Sequence, residues 1–128
     1  MYNPILLDHF QNPRNVGKLE NANGVGFIGD PGCGDFMCIY VYVENWLIKD
    51  ISFLCQGCPS SIASASATTE MAKGKMIEDI ISLTPEDVAQ HIGGMPDEKL
   101  HCSNLGVEAL SFAIADYLGI LKDTPNID

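Results

Sequence analysis

The order of hydrophobic and polar residues predicts strands in the first half of the chain and helices in the second. Three segments are rich in β-branched and aromatic residues and are bounded by turn formers, which is typical of strands. They are Val25 to Ile28, Phe36 to Val43 and Leu47 to Leu54. We expect the second and third to form a hairpin around Glu44-Asn45-Trp46.

Helical spacing appears before and after these strands. A short helix is predicted from Ile5 to Phe10, ending at Asn12-Pro13 because a residue before proline is pushed out of the helical region; residues 11–24 are then a loop. Proline suits the first position of a helix, so a second helix should start directly after Cys58 and end at Gly74. Its helically spaced residues are Ile62, Ala65, Ser66, Thr69 and Ala72.

Two further helices are predicted in the last third of the chain. Thr84-Pro85-Glu86-Asp87 combines a capping hydroxyl, a proline and early carboxylates, which marks a helix through about Ile92. The last helix runs from Ser103 onward and should pack across the sheet. One of its faces carries Leu110, Ala113, Ile114, Tyr117 and Leu121.

These elements predict an α+β fold, in which a small, mainly antiparallel three-stranded sheet has helices packed against it. A chain of 128 residues can bury one hydrophobic core. We therefore expect residues 1–128 to form a single domain with a frayed tail at 123–128.

The composition narrows the classes of partner and of chemistry. A net charge of -10 disfavours nucleic acid and anionic membrane surfaces and favours basic protein partners. The chain has no apolar run that could cross a bilayer, and Met1-Tyr2-Asn3-Pro4 lacks the charged start of a signal peptide. We therefore expect a cytoplasmic protein, whose five cysteines stay reduced and serve metal or thiol chemistry.

Three of the cysteines lie where a ligand could reach them. Cys33 sits in the glycine-rich segment Gly29-Asp30-Pro31-Gly32-Cys33-Gly34-Asp35, where the backbone can turn tightly. Cys58 and Cys102 lie at predicted helix starts, where the helix dipole favours the thiolate. With Asp35 and His101 they offer soft sulfur ligands and one harder position, which suits Zn²⁺ or an iron–sulfur cluster.

The sequence also allows other interpretations of the cysteines. A single buried cysteine is usually a small apolar residue, and this is the expectation for Cys38 and Cys55, which could also face each other across the hairpin. Cys55-Gln56-Gly57-Cys58 is a C-x-x-C segment entering a helix, so a thiol–disulfide redox protein is an alternative. His9 and His91 share no spacing with the cysteines, and we expect them to be solvated and assign neither a metal role.

The chain closely resembles the scaffold proteins of the IscU/NifU type. Asp8-His9-Phe10-Gln11-Asn12-Pro13-Arg14-Asn15-Val16-Gly17 is similar to the opening signature of that family. The likeness covers residues 2 to about 118 and continues, in family order, through Gly32-Cys33-Gly34-Asp35, Gly57-Cys58, Ile62-Ala63-Ser64-Ala65-Ser66, Lys73-Gly74-Lys75 and Lys99-Leu100-His101-Cys102-Ser103.

The resemblance implies a SufE/NifU-like fold and a scaffold function rather than a turnover enzyme. Such a scaffold takes sulfur from a cysteine desulfurase, builds a [2Fe–2S] cluster with iron and electrons from separate donors, and transfers the cluster to apo-proteins. Cys33, Cys58 and Cys102 match the ligand cysteines, and Asp35 and His101 match the positions that compete for the remaining site. Met95-Pro96-Asp97-Glu98-Lys99 departs from the L-P-P-V-K of many bacterial members, so the resemblance does not carry a DnaK-type chaperone over to this chain.

Individual residues can be given expected roles in sulfur transfer, cluster release and desulfurase binding. Cys102 is predicted to be the first sulfur acceptor, and Asp35, as a weak oxygen ligand, to release the cluster. The apolar cluster Ile5, Leu6, Leu7 and Phe10 is predicted to contact the desulfurase. The alternative within the resemblance is a zinc-dependent sulfur acceptor of the SufU type, and zinc is expected to fit the same thiols.

Overall fold

Within residues 3–30, 35–94 and 100–119, which the computed structural model describes, the chain forms three strands and five helices. In chain order these are α1 (Pro4–Gln11), β1 (Gly24–Asp30), β2 (Asp35–Glu44), β3 (Leu47–Gln56), α2 (Pro59–Ala72), α3 (Ile77–Ile80), α4 (Pro85–His91) and α5 (Leu100–Leu118). None of the helices described is long and apolar enough to cross a bilayer.

The three strands form one antiparallel sheet in the order β1-β2-β3. Asn45 and Trp46, which join β2 to β3, have φ values of 54° and 65°. Two successive residues with positive φ form the type of two-residue turn whose twist matches that of the strands it joins. The predicted α+β fold and its hairpin are therefore confirmed.

The segment predicted as a loop at residues 11–24 covers one edge of the sheet. The backbone N–H of Phe53 donates to the carbonyl of Asn15 at 2.9 Å, and the N–H of Gly17 donates to the carbonyl of Phe53 at 2.8 Å. These bonds satisfy polar groups of β3 that an edge strand otherwise leaves unpaired. The segment is thus a structural part of the sheet's edge.

The packing divides into two clusters on either side of α2. The larger lies between the sheet and α5 and includes Met37, Ile39, Ile51, Phe53, Leu110 and Ala113. The smaller joins α1, α2 and α4 through Leu6, Ala63, Ala67, Val88 and Ile92. Because α2 is covered on both sides, its buried residues are small, and Thr68 and Thr69 donate their hydroxyls to the carbonyls of Ser64 and Ser66.

Helix α5 packs on β1 with almost no side chain between the two backbones. A Cβ on Gly26 would lie 2.0 Å from the carbonyl oxygen of Ala109, and one on Gly24 would lie 2.4 Å from that of Ala113. The predicted face of α5 is confirmed for Leu110, Ala113 and Ile114, which are buried; Leu121 lies outside the described residues. The helix begins at Leu100 rather than Ser103, and the short helix α3 was not predicted.

Candidate functional site

The ends of all three strands meet at one end of the sheet. Asp30, the last residue of β1, pairs with Asp35, the first residue of β2. Phe36 of β2 pairs in turn with Gln56, the last residue of β3. Cys58 follows Gln56 by two residues, so the start of α2 lies at this same end.

The first turn of α5 also lies there. Gly24 faces Ala113 and Tyr117 of α5, whereas Gly26, two residues further along β1, faces Ala109. The two elements therefore run in opposite directions, and the end of β1 lies beside the beginning of α5. That first turn contains His101 and Cys102.

The structure thus brings together the backbone of Asp35, Cys58 and the first turn of α5, but it does not describe all of the predicted ligands. Cys33 lies outside the described residues, between Asp30 and Asp35. The side chains of Asp35, His101 and Cys102 also lie outside what is described. The joint coordination of metal by Cys33, Asp35, Cys58, His101 and Cys102 stays a prediction.

Cys58 is the predicted ligand whose side chain is described, and it caps α2. Its carbonyl accepts hydrogen bonds from the N–H groups of Ser61 and Ile62, at 3.0 and 3.1 Å, and its Sγ lies 3.5 Å from the Ser61 hydroxyl. Pro59 occupies the first helical position and has no N–H, which removes one donor from this helix end. The residue is half-buried.

Cys38 and Cys55 do not face each other across the hairpin. Cys38 pairs with Leu54, and Cys55 pairs with Met37, so the two thiols point to opposite faces of the sheet. Cys38 is buried, and burial raises the pKa of its thiol. Cys55 packs against the larger core cluster. Cys38, Cys55 and Cys58 are not joined to one another by disulfides.

Several residues of the Asp8-to-Gly17 motif hold α1 and the following loop against α2. Arg14 Nη2 donates to Asp8 Oδ2 at 2.7 Å, and this hydrogen bond lowers the pKa of the Asp8 carboxyl. The backbone N–H of Arg14 donates to Ser66 Oγ, and Asn15 Nδ2 donates to Thr69 Oγ1. These described contacts give the motif a structural role in positioning α2.

The two histidines to which no role was assigned lie together beside Glu70. His9 is buried, contrary to the expectation of a solvated side chain, and burial lowers the pKa of its imidazole. His91 Nε2 lies 2.8 Å from Glu70 Oε1, and this hydrogen bond lowers the pKa of the Glu70 carboxyl. No spacing in the sequence links these residues, because each comes from a different helix.

The apolar cluster of α1 is only partly available to a partner. Leu6 is fully buried in the smaller core cluster, which corrects its expected place on an interface, and Phe10 is half-buried. Ile5 and Leu7 are exposed by 50% and 36%. Of the four residues of the predicted cluster, Ile5 and Leu7 are therefore the ones exposed to a partner.

Comparison of the sequence with known families matches residues 1–124 to the NifU-like N terminal domain. A protein of Archaeoglobus fulgidus named iron-sulfur cluster assembly scaffold protein IscU 1 is 54% identical over 117 residues, which are 91% of this chain and 76% of that protein. A protein of Aquifex aeolicus named iron-sulfur cluster assembly scaffold protein IscU is 53% identical over 119 residues, again 91% of this chain and 76% of the relative.

Solved structures share the fold at much lower sequence identity. The N-terminal part of a NifU-like protein from Brucella abortus superposes with a TM-score of 0.74 at 15% identity, covering 95% of both chains. A SufU structure from Fervidobacterium islandicum gives a TM-score of 0.69 at 22% identity, covering 88% of this chain and 96% of the other. At these identities the likeness establishes the arrangement of helices and strands.

Proposed function

Because the chain belongs to the NifU-like N-terminal domain family, we propose that it is a scaffold for de novo assembly of iron–sulfur clusters, which it transfers to apo-proteins. One observation carries the proposal: Cys58, the first turn of α5 and the two strand ends that flank Cys33 all lie at one end of the sheet. The relatives named as scaffolds, at more than half identity, support it. The protein holds and passes on its cargo and is not a turnover enzyme.

The proposed cargo is a [2Fe–2S] cluster held by the thiolates of Cys33, Cys58 and Cys102. Asp35 or His101 supplies the fourth ligand. An oxygen or nitrogen donor binds the soft iron–sulfide core less firmly than thiolate does, so this position is the one at which an acceptor's thiolate enters. Zn²⁺ fits the same donors, because it binds cysteine, histidine and carboxylate ligands in tetrahedral sites.

The sulfur comes from a cysteine desulfurase, and Cys102 is the first acceptor. The Cys102 thiolate attacks the outer sulfur of a persulfide on the desulfurase, the desulfurase thiolate leaves, and Cys102 then carries the persulfide. Separate donors supply iron and the electrons that convert this sulfur to sulfide. These steps require reduced thiols, so we place the protein in the cytoplasm.

The second candidate is a zinc-dependent sulfur acceptor, because the same cysteine, histidine and carboxylate donors also suit Zn²⁺. A thiol–disulfide redox protein is less consistent with the fold. Cys55 lies within an antiparallel strand and packs on the core, whereas the redox interpretation needs C-x-x-C beside a βαβ unit.

Anaerobic reconstitution with iron and sulfide tests the proposal. The protein should gain the visible absorption of a [2Fe–2S] centre, and serine at Cys33, Cys58 or Cys102 should weaken it. Cys38→Ser makes the same atomic change at a buried position and should leave the absorption unchanged. An absorption that depends on Cys55 instead of Cys33 would contradict the proposal, and retention of zinc with no visible centre would favour the zinc-dependent acceptor.

A further inference from the structure

Three residues from three helices bring possible metal ligands together on one side of α2. His9 comes from α1, Glu70 from α2 and His91 from α4, and one ligand atom from each lies within 4.8 Å of the others. His9 Nε2 is 3.5 Å and His91 Nε2 is 2.8 Å from the same carboxylate oxygen, Glu70 Oε1. The two imidazole rings meet edge to face, with centroids 5.9 Å apart.

The geometry points to a binding site for a divalent first-row transition-metal ion, such as Zn²⁺ or Fe²⁺, formed by His9, Glu70 and His91. Two imidazoles and a carboxylate are ligands that proteins use for both ions. Tetrahedral bonds of about 2.0–2.1 Å place neighbouring ligand atoms about 3.3 Å apart. The distances of 3.5 and 2.8 Å to Glu70 Oε1 are within about half an ångström of that value.

The surroundings of His9 orient its ring for such a site. Its Nδ1 lies 2.8 Å from Ser66 Oγ, and Ser66 Oγ is itself held by the backbone N–H of Arg14 at 2.9 Å. A hydrogen bond on one ring nitrogen that fixes the other toward the metal is the usual support of a metal-binding histidine. Burial of His9 keeps this ring from turning away.

The charges around the cluster leave one carboxylate oxygen for the ion. Arg14 binds Asp8 at 2.7 Å and approaches Glu70 through the other oxygen, Oε2, at 3.8 Å. Glu70 Oε1 therefore faces the two histidines. With two carboxylates and one guanidinium, this neighbourhood carries a formal charge of about −1, which favours a cation.

The site is open and separate from the cysteines. The side chains of Glu70 and His91 are 41% and 36% exposed, so a water molecule can occupy the remaining coordination position. Glu70 follows Cys58 by twelve residues along α2, a distance of about 18 Å in a helix. The two sites share no ligand, so this inference does not rest on the proposed function.

Zinc binding by the full chain with serine at Cys33, Cys58 and Cys102 tests the inference. Calorimetric titration with ZnCl₂ should show one bound equivalent. In the same background, His91→Asn and Glu70→Gln should each lower the affinity at least about tenfold. The matched control is Glu86→Gln, which removes an exposed carboxylate from α4 and should leave the affinity unchanged.

A second measurement covers the case in which the serine variant does not fold. In the chain with its native cysteines, His91→Asn should weaken the binding of one equivalent of Zn²⁺ at least about tenfold. Zinc binding that is insensitive to both His91→Asn and Glu70→Gln would overturn the inference. The same is true if these variants lower only the melting temperature, because the cluster would then be a hydrogen-bonded contact between helices.

Discussion

Replacing Gly26 with alanine tests whether contact between the backbones of β1 and α5 holds the proposed site together. The new Cβ would lie 2.0 Å from the carbonyl oxygen of Ala109 and 2.4 Å from the backbone nitrogen of Ala113. An ordinary contact between carbon and a carbonyl oxygen is about 3.3–3.6 Å long. The strand and the helix must therefore separate by about 1.3 Å or more.

The expected cost is at the upper end of the range for overpacked cores. Such substitutions cost about 1–3 kcal/mol, and sometimes more. Both atoms that the Cβ meets belong to the backbone of α5, so no side-chain rotation relieves the clash. We expect Gly26→Ala to lower the free energy of unfolding by about 3 kcal/mol, which corresponds to a fall of about 10 °C in melting temperature.

Urea unfolding followed by circular dichroism measures this change, and Gly74→Ala is the control. Gly74 has a φ of +82° and no atom within 4 Å of an added Cβ, so alanine there costs only the left-handed conformation, about 1–2 kcal/mol. Unfolding of Gly26→Ala at the same urea concentration as Gly74→Ala would contradict the close contact between the backbones of β1 and α5.

Gly26→Ala should also alter the geometry of the proposed cluster site. The end of β1 leads into the segment with Cys33, and the start of α5 carries Cys102. Moving β1 away from α5 changes the distance between the two thiols. We expect folded Gly26→Ala to yield less reconstituted cluster than folded Gly74→Ala at the same temperature, and equal yields would show that the contact does not position the site.

Three further predictions address release, partner binding and thiol ionisation. Asp35→Ala should leave the cluster more persistent in air but slower to reach an apo-ferredoxin; an unchanged transfer rate with a lower melting temperature would mean that Asp35 only stabilises its turn. Serine at both Ile5 and Leu7 should weaken desulfurase binding in a pull-down assay with little effect on stability. The control Ile81→Ser, also at an exposed position, should leave both desulfurase binding and stability unchanged. Burial raises the pKa of Cys38 above 9.0, so its contribution to stability is present below that pH and is lost as pH rises through the folded pKa; iodoacetamide should therefore modify Cys38 more slowly in the native than in the urea-unfolded chain, and equal rates would contradict its burial.

The features that the sequence predicted correctly depend on residues close together in the chain. Thr84 and Asp87 cap each other's backbone N–H groups at the start of α4, three residues apart. Asn45 and Trp46 form the hairpin turn by themselves. Pro59 marks the start of α2 because its ring restricts a single φ angle. Each signal acts within a few residues, so no knowledge of the tertiary fold was needed.

The features that were missed depend on contacts between distant segments. Leu6 was expected at an interface because its neighbours in α1 are apolar too, and only the packing of α1 on α2 and α4 shows that it is core. The pairing of Asn15 and Gly17 with Phe53 follows no hydrophobic period. The expected core positions of Cys38 and Cys55 are confirmed; whether the two face each other was left open, because it depends on register, which a bulge between Tyr42 and Val43 shifts.

The inferred histidine site affects how the zinc content of the purified protein should be interpreted. If His9, Glu70 and His91 bind zinc, the purified protein can contain zinc while the cysteines at the other end of α2 are empty or hold a cluster. A count of zinc atoms then cannot distinguish a zinc-dependent sulfur acceptor from a cluster scaffold. In the His91→Asn chain, zinc that remains belongs to other ligands, and its loss in Cys58→Ser would assign it to the thiolates. The choice between the two candidate functions is therefore best made in the His91→Asn background.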